Sequence, residues 1–443
     1  MKHLSKPYTL CIVYLMAIIL ISGCAKEEVT LTIAWAEWDP ANYLQELSND
    51  FAKETGIKVV VDQIPWAQFE TKVFTAFAAR DATYDIVVGD SQWVGRGAVG
   101  KHYVDLTDWM KTNSVDAGFS PLALKYYGEY PEGSGKYYAV PAEGDANGFA
   151  YRMDLFEDPK EKEAFMAKYG YELDIPKTYD QLKDIAEFFT RPDAGLSGIA
   201  MWLGKDYDSV TMGFQQVMWS FGGSYGDEKT YKVEGILNSD ASVKALEYYM
   251  ELAKSAPPGS ENYYWSECLT AFQQGKVAMA MDFYAFFPGL VAEDKNPYAK
   301  STGFFAAPGQ TGPDGKFRRH ISIGGQGMSV SAYSKNKDKA LEYIKWFCKD
   351  ENQLKWAKLG GFSTSKKVLE SDEFLKMNPY NPAFVESLDY LRDFWAVKEY
   401  ADLLQKCQEH WNAAVTGQKT AKEAMDDLAR DHEAIFKAAG YYE

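Results

Sequence analysis

At 443 residues, with 46% apolar and 25% charged side chains, the chain has the composition of a folded globular protein and the length of two or three domains. A formal charge of −16 excludes the basic footprint that nucleic-acid binding requires. The few histidines, His102, His320, His410 and His432 after an N-terminal His3, have no metal-ligand spacing, so no metal and no cofactor is expected.

The N-terminus carries an address. Lys2 and Lys6 precede an apolar run of 14 residues, 8–21, which Ile21-Ser22-Gly23-Cys24 closes with small residues ahead of a cysteine. Such a run is shorter than the ~20 residues that span a bilayer, so residues 1–23 read as an export signal. Its ending resembles the lipobox of bacterial lipoproteins. That resemblance implies a lipid anchor on Cys24, a tether over residues 24–30 and a mature charge of −18 once the two lysines are gone. Cys268, Cys348 and Cys407 fall in helix-patterned segments without C-x-x-C spacing and read as buried small hydrophobes, with a disulfide between one pair left open.

Residues 29–35 alternate as a strand, and Asp39-Pro40 opens a helix that Gly56 closes. A strand at 57–64, a helix at 66–80 and a strand at 84–88 complete a strand-helix-strand-helix-strand run, the signature of a parallel sheet covered by helices. Ligands of such open sheets bind outside the carboxyl ends of the strands. Those ends carry Glu37, Trp38 and Asp39, then Trp66, then Asp90, Ser91, Gln92 and Trp93. Three tryptophans and several acids at one rim suit a hydroxylated ligand, because indole faces cover a sugar's C–H face while carboxylates accept from its hydroxyls.

Residues 136–156 hold two β-type runs, 137–140 and 148–152, broken by Pro141, Glu143, Gly144 and Asp145. This is the pattern of a crossing between two domains, with Glu143 and Asp145 on the floor of the cleft. A second α/β pattern follows. Thr178-x-x-Gln181 is a capping box, 198–203 a strand ending near Trp202, 208–221 and 239–254 are helices, and Trp265 starts a short helix closed by Gly275. The strand at 276–282 delivers Asp282 and Tyr284. A return crossing is read at 303–308, and Gly324-Gly325-Gln326-Gly327 opens a strand where missing side chains let backbone approach a ligand. Helices at 337–348 and 350–358 and a helical tail containing Trp411 complete the chain. Gly222 to Gly226 match G-x-S-x-G formally, but helix-patterned residues precede them, so no nucleophile elbow is expected.

The segments 31–35, 51–59, 84–87, 138–156, 271–279 and 334–347 together resemble the bacterial extracellular solute-binding proteins, family 1, the group of carbohydrate ABC-importer receptors that includes maltose-binding protein. The resemblance implies a two-lobed α/β periplasmic-binding-protein-like fold of class II. Its discontinuous lobes, 31–141 with 307–349 and 145–303 with 351–443, would join through a hinge of about three crossings and close on a ligand. It also implies contacts at Glu37, Trp38, Asp39, Trp66, Asp90, Ser91 and Trp93, a crossing acid at Glu143 or Asp145, and aromatics at Tyr284 and Trp411, to which Trp202, Trp265, Asp282 and Gly325 are added. The expected protein is a monomeric, membrane-anchored receptor on the outer face or in the periplasm, not an enzyme. Its expected partners are a sugar or polyol and the membrane subunits of an ABC permease. The alternatives are a receptor for a polyamine or metal chelate, and a surface glycosidase with a carboxylate pair.

Overall fold

The computed structural model describes residues 29–442, so the signal segment and Cys24 lie outside the described residues. Strands β1 (Thr30–Ala36), β2 (Lys58–Ile64) and β3 (Ile86–Asp90) alternate with helices α1 (Asp39–Thr55) and α2 (Trp66–Ala78), as the sequence pattern predicts. Pro40 stands in the first turn of α1, where its missing N–H costs nothing, and Gly56 closes the helix at φ 77°, a left-handed conformation that favours glycine. Leu44, Leu47 and Phe51 line the buried face of α1; Phe69, Val73 and Phe77 line that of α2. β1 pairs in parallel with both β2 and β3.

The chain then enters β4 (Val140–Glu143) and, three residues later, β5 (Asn147–Arg152). These two strands belong to different sheets. Pro141 and Glu143 lie inside β4 rather than in the break, and β4 tolerates the proline because it is an edge strand. Beyond it come β6 (Ser197–Ala200), β7 (Val277–Phe283), β8 (Thr302–Ala306), the short β9 (Gln310–Thr311), β10 (Phe317–Arg318) and β11 (Ile321–Ser322), then β12 (Gln326–Val330) and β13 (Leu391–Arg392). One sheet has the order β2-β1-β3-β12-β4 and the other β6-β7-β5-β8. β12 runs antiparallel to β3 and β4, so the chain has returned to the first sheet by residue 326.

The sequence boundary at 349–351 differs from the observed packing. The helix Asp350–Leu359 stays with the first sheet: Trp356 meets Trp35 of β1 with ring centroids 6.2 Å apart, and Lys355 reaches Asp50 of α1. Later, Phe384 of the helix Asn381–Ser387 packs on Tyr284 just beyond β7, and Ser387 bonds its hydroxyl. The third change of side therefore falls between Leu359 and Asn381. Helices Tyr400–Val415 and Ala421–Ala438 pack with Ser209–Ser220 and Asp240–Ala253 on the second sheet's side. The capping box at Thr178 forms, and Thr420 opens the helix Ala421–Ala438 with another, Glu423 reaching back to it. Cys268, Cys348 and Cys407 are free thiols, which resolves the open disulfide.

Candidate functional site

A cavity of about 470 Å³ opens between the two sheets. From the first sheet, the carboxyl ends of three neighbouring strands supply Trp38 after β1, Trp66 after β2, and Asp90, Ser91 and Gln92 at and after β3. The first crossing supplies Asp145, and the approach to β12 supplies Gly324, Gly325 and Gln326. Facing them are Asp206, Tyr207 and Asp208 ahead of the helix Ser209–Ser220, Tyr264 and Trp265 at the head of the helix Trp265–Gln273, and Phe283 and Phe286 beyond β7.

Aromatic rings line it almost continuously. Trp38 meets Trp66 edge-on at 5.5 Å, Trp66 meets Tyr207 at 6.1 Å, and Trp38 meets Phe286 at 6.5 Å. Trp265 stacks on Phe286 at 4.4 Å and 10°, leaving the indole 37% exposed. Glu267 holds the head of that helix by accepting the Tyr264 N–H at 3.1 Å. The Tyr207 loop is held from the helix carrying Trp411: the Gln408 amide donates to the Tyr207 carbonyl at 2.6 Å and the Asn412 amide to the Leu203 carbonyl at 2.8 Å.

The acids are tethered by neutral donors. The Tyr207 hydroxyl donates to Asp90 across the cavity, and the Gln326 amide donates to the other oxygen of Asp90 at 3.0 Å. The Tyr264 hydroxyl donates to Asp208. Asp145 accepts the Ala146 and Ala285 N–H groups at 2.8 and 3.2 Å, and Tyr127 clamps its backbone by donating to the Asp145 carbonyl and accepting its N–H. Burial pushes Asp90 up to about 6, Asp208 up to about 7 and Asp145 up to about 8. The Oε1 atoms of Gln92 and Gln326 and the Nε1 of Trp38 lack partners.

Of the residues read from sequence, the structure brings Trp38, Trp66, Asp90, Ser91, Asp145, Trp265 and Gly325 together. The others are placed elsewhere. Glu37 and Asp39 are exposed and do not line the cavity; Asp39 is the acid in the first turn of α1, favoured by the helix dipole. Trp93 is a core residue, 4.9 Å from Phe69 and 5.8 Å from Phe74. Trp411 is fully buried against Phe214 at 4.7 Å. Trp202 backs the cavity wall from one layer behind, against Phe283 at 4.5 Å and Tyr264 at 5.2 Å. Tyr284 covers Gly148, where a Cβ would come within 2.5 Å of its ring. Glu143 is buried and accepts the Phe362 N–H at 3.1 Å, pinning the third crossing to the first, while Asp282 accepts its neighbour Phe283's N–H. Burial raises both of these carboxyls well above the usual range. Gly325 is glycine because a Cβ there would strike the Glu143 carbonyl and the Tyr127 ring, each at 2.4 Å.

Sequence reasoning missed Tyr207 and Phe286 as lining residues; Asp208, read as a helix start, is the N-cap of the helix Ser209–Ser220 and lines the cavity as well. The aromatic triplet Tyr263-Tyr264-Trp265 was the visible signal on that side. Gly222 to Gly226 follow the helix Ser209–Ser220 directly, with no strand before them. No group of three metal-ligating side chains occurs among the described residues.

Comparison with known proteins places this geometry. The family model described as bacterial extracellular solute-binding protein matches residues 37–354. A probable amino-acid ABC transporter periplasmic-binding protein of Sinorhizobium fredii is 25% identical over 89% of this chain and 86% of its own. A mannitol-binding protein of Pseudomonas aeruginosa is 22% identical over 69% of this chain and 71% of its own. An ABC transporter solute-binding protein from Agrobacterium radiobacter K84, solved in complex with ribitol, superposes with a TM-score of 0.77 at 25% identity, covering 92% of this chain and 99% of that one.

Proposed function

The chain belongs to the bacterial extracellular solute-binding protein family, and from that premise we propose that it captures a sugar or polyol in the cavity between its two sheets and delivers it to an ABC permease. It is an exported binding protein and not an enzyme, so the glycosidase alternative falls. The observation that carries the ligand class is the cavity itself. Indole and phenyl faces suited to the C–H faces of a carbohydrate surround carboxylates suited to vicinal hydroxyls. Relatives named for mannitol and for erythritol and L-threitol, and the ribitol complex, support it.

The binding residues in this reading are Trp38, Trp66, Asp90, Ser91, Asp145, Trp265 and Gly325, joined by Tyr207, Asp208, Tyr264, Phe286 and Gln326. The lobes are the two sheets with their helices, and the crossings near 144–146, 307–325 and 360–380 form the hinge. The bond from Tyr207 to Asp90 ties one lobe to the other and is a contact that closure makes. Cys24, outside the described residues, carries the lipid anchor, and the receptor acts as a monomer. A thermal-melt panel of sugars and polyols tests the ligand class: a ligand at 100 times its dissociation constant adds about 2.7 kcal/mol. A midpoint raised by at least one hydroxylated solute is the expected result. A panel silent throughout, with a shift from a non-hydroxylated solute, overturns the reading.

A further inference from the structure

The cavity's charge is one-sided. Asp90, Asp145, Asp206 and Asp208 line it, and no lysine, arginine or histidine is among the described residues that do. Asp90, Asp145 and Asp208 are each at most 8% exposed, and their partners are phenols, an amide and backbone N–H groups, none of which carries charge. Buried carboxylates without a cation are costly, and proteins ordinarily pair them. A second cavity of the same molecule, about 310 Å³ between residues 125–133, 219–231 and 392–397, has a mixed lining: Lys125 and Arg392 meet the partly exposed Glu132 and Glu228, beside a buried Asp393 that accepts its neighbour Phe394's N–H.

The unpaired side-chain oxygens of the site point the same way. Gln326 is 3% exposed, and its amide nitrogen is committed to Asp90 and to the Gly324 carbonyl, which leaves its Oε1 an acceptor without a donor. Gln92, 5% exposed, also leaves Oε1 unpaired. The wall is therefore rich in acceptors. Around it stand the rings of Trp38, Trp66, Tyr207, Trp265 and Phe286, whose negative faces attract a cation.

We infer that the solute this site takes is a hydroxylated molecule bearing a protonated amine, an amino sugar or amino polyol, whose ammonium group is the missing counter-charge of the aspartates. The inference rests on the sugar or polyol reading and narrows it. A neutral sugar offers hydroxyl donors but no charge; an ammonium group offers three donors and the charge together.

The test is a calorimetric titration of the whole mature protein with matched pairs differing only by amino for hydroxyl: D-glucosamine against D-glucose and D-glucamine against D-sorbitol at one position, and the β-1,4-linked glucosamine disaccharide against cellobiose at two. The amine is expected to bind at least about tenfold tighter in one or more pairs. Asp208→Asn keeps an acceptor for Tyr264 and is expected to cut that preference to a few-fold, while Glu228→Gln in the second cavity leaves it in place. Neutral members that bind as well as their amines, or better, overturn the inference and leave the sugar reading standing. Silence across all six compounds overturns the inference, while the sugar or polyol reading stands or falls on the wider melting panel.

Discussion

Seven of the twelve tryptophans form two sets that look alike in the sequence and differ in use. Trp38, Trp66 and Trp265 stand at strand ends or helix heads, remain half-buried or exposed, and line the cavity. Trp93, Trp202, Trp219 and Trp411 are at most 1% exposed and fill the interiors of the two halves, and their indole N–H groups have no acceptor. A ring kept partly bare at the end of a strand is held there for something that arrives; a ring fully covered is committed to packing. Exposure combined with position therefore separates ligand contacts from packing where residue type cannot.

Substitutions sharpen this contrast, and the largest effect is on the core side. Trp411→Ala removes a fully buried indole packed on Phe214 and is expected to lower stability by about 3–5 kcal/mol, read by chemical denaturation. Trp265→Ala is expected to do the reverse, costing under about 1 kcal/mol of stability while weakening ligand binding at least about tenfold, near 1.4 kcal/mol, by calorimetry. A Trp265→Ala protein that loses several kcal/mol of stability while keeping its ligand affinity would break the distinction.

The charged lining gives a pH test. Asp90, Asp208 and Asp145 hold their protons to about 6, 7 and 8 in the fold, against about 4 in the unfolded chain. The folded state thus binds more protons across that window. The stability these groups contribute is full below pH 4 and is lost as pH rises through 6 to 8. The ligand-free protein is expected to melt at a lower temperature at pH 8 than at pH 5.5, and Asp145→Asn to flatten the slope. The smallest effect is expected from Tyr207→Phe, which removes one donor to Asp90 and should cost about 1 kcal/mol of ligand affinity with little change in melting.

Much of the fold was legible because its signals are local. Pro40 and Gly56 mark both ends of α1, Thr178 and Thr420 start helices through capping boxes, and the break between residues 140 and 147 marks the first crossing. The third crossing was not legible: the helix Asp350–Leu359 is amphipathic whichever sheet it covers, and contacts distant in sequence, Trp356 on Trp35 and Lys355 on Asp50, assign it. The site divides likewise. Residues at the ends of β1, β2 and β3 follow from strand order, so Trp38, Trp66, Asp90 and Ser91 could be read directly. Tyr207 and Phe286 enter through contacts between distant segments, including the bond from Tyr207 to Asp90 and the stack of Phe286 on Trp265. Trp411 misled because an aromatic on a helix reads the same whether the helix turns it toward a cleft or toward Phe214.

The most direct measurement is a crystal structure of the protein with a bound sugar or polyol identified by the melting panel. The account places the ligand between Trp66 and Trp265, with its polar groups on Asp90, Asp145 or Asp208. A ligand seated instead in the cavity beside Trp395 and Arg392, with the Trp66 and Trp265 faces bare, would contradict it.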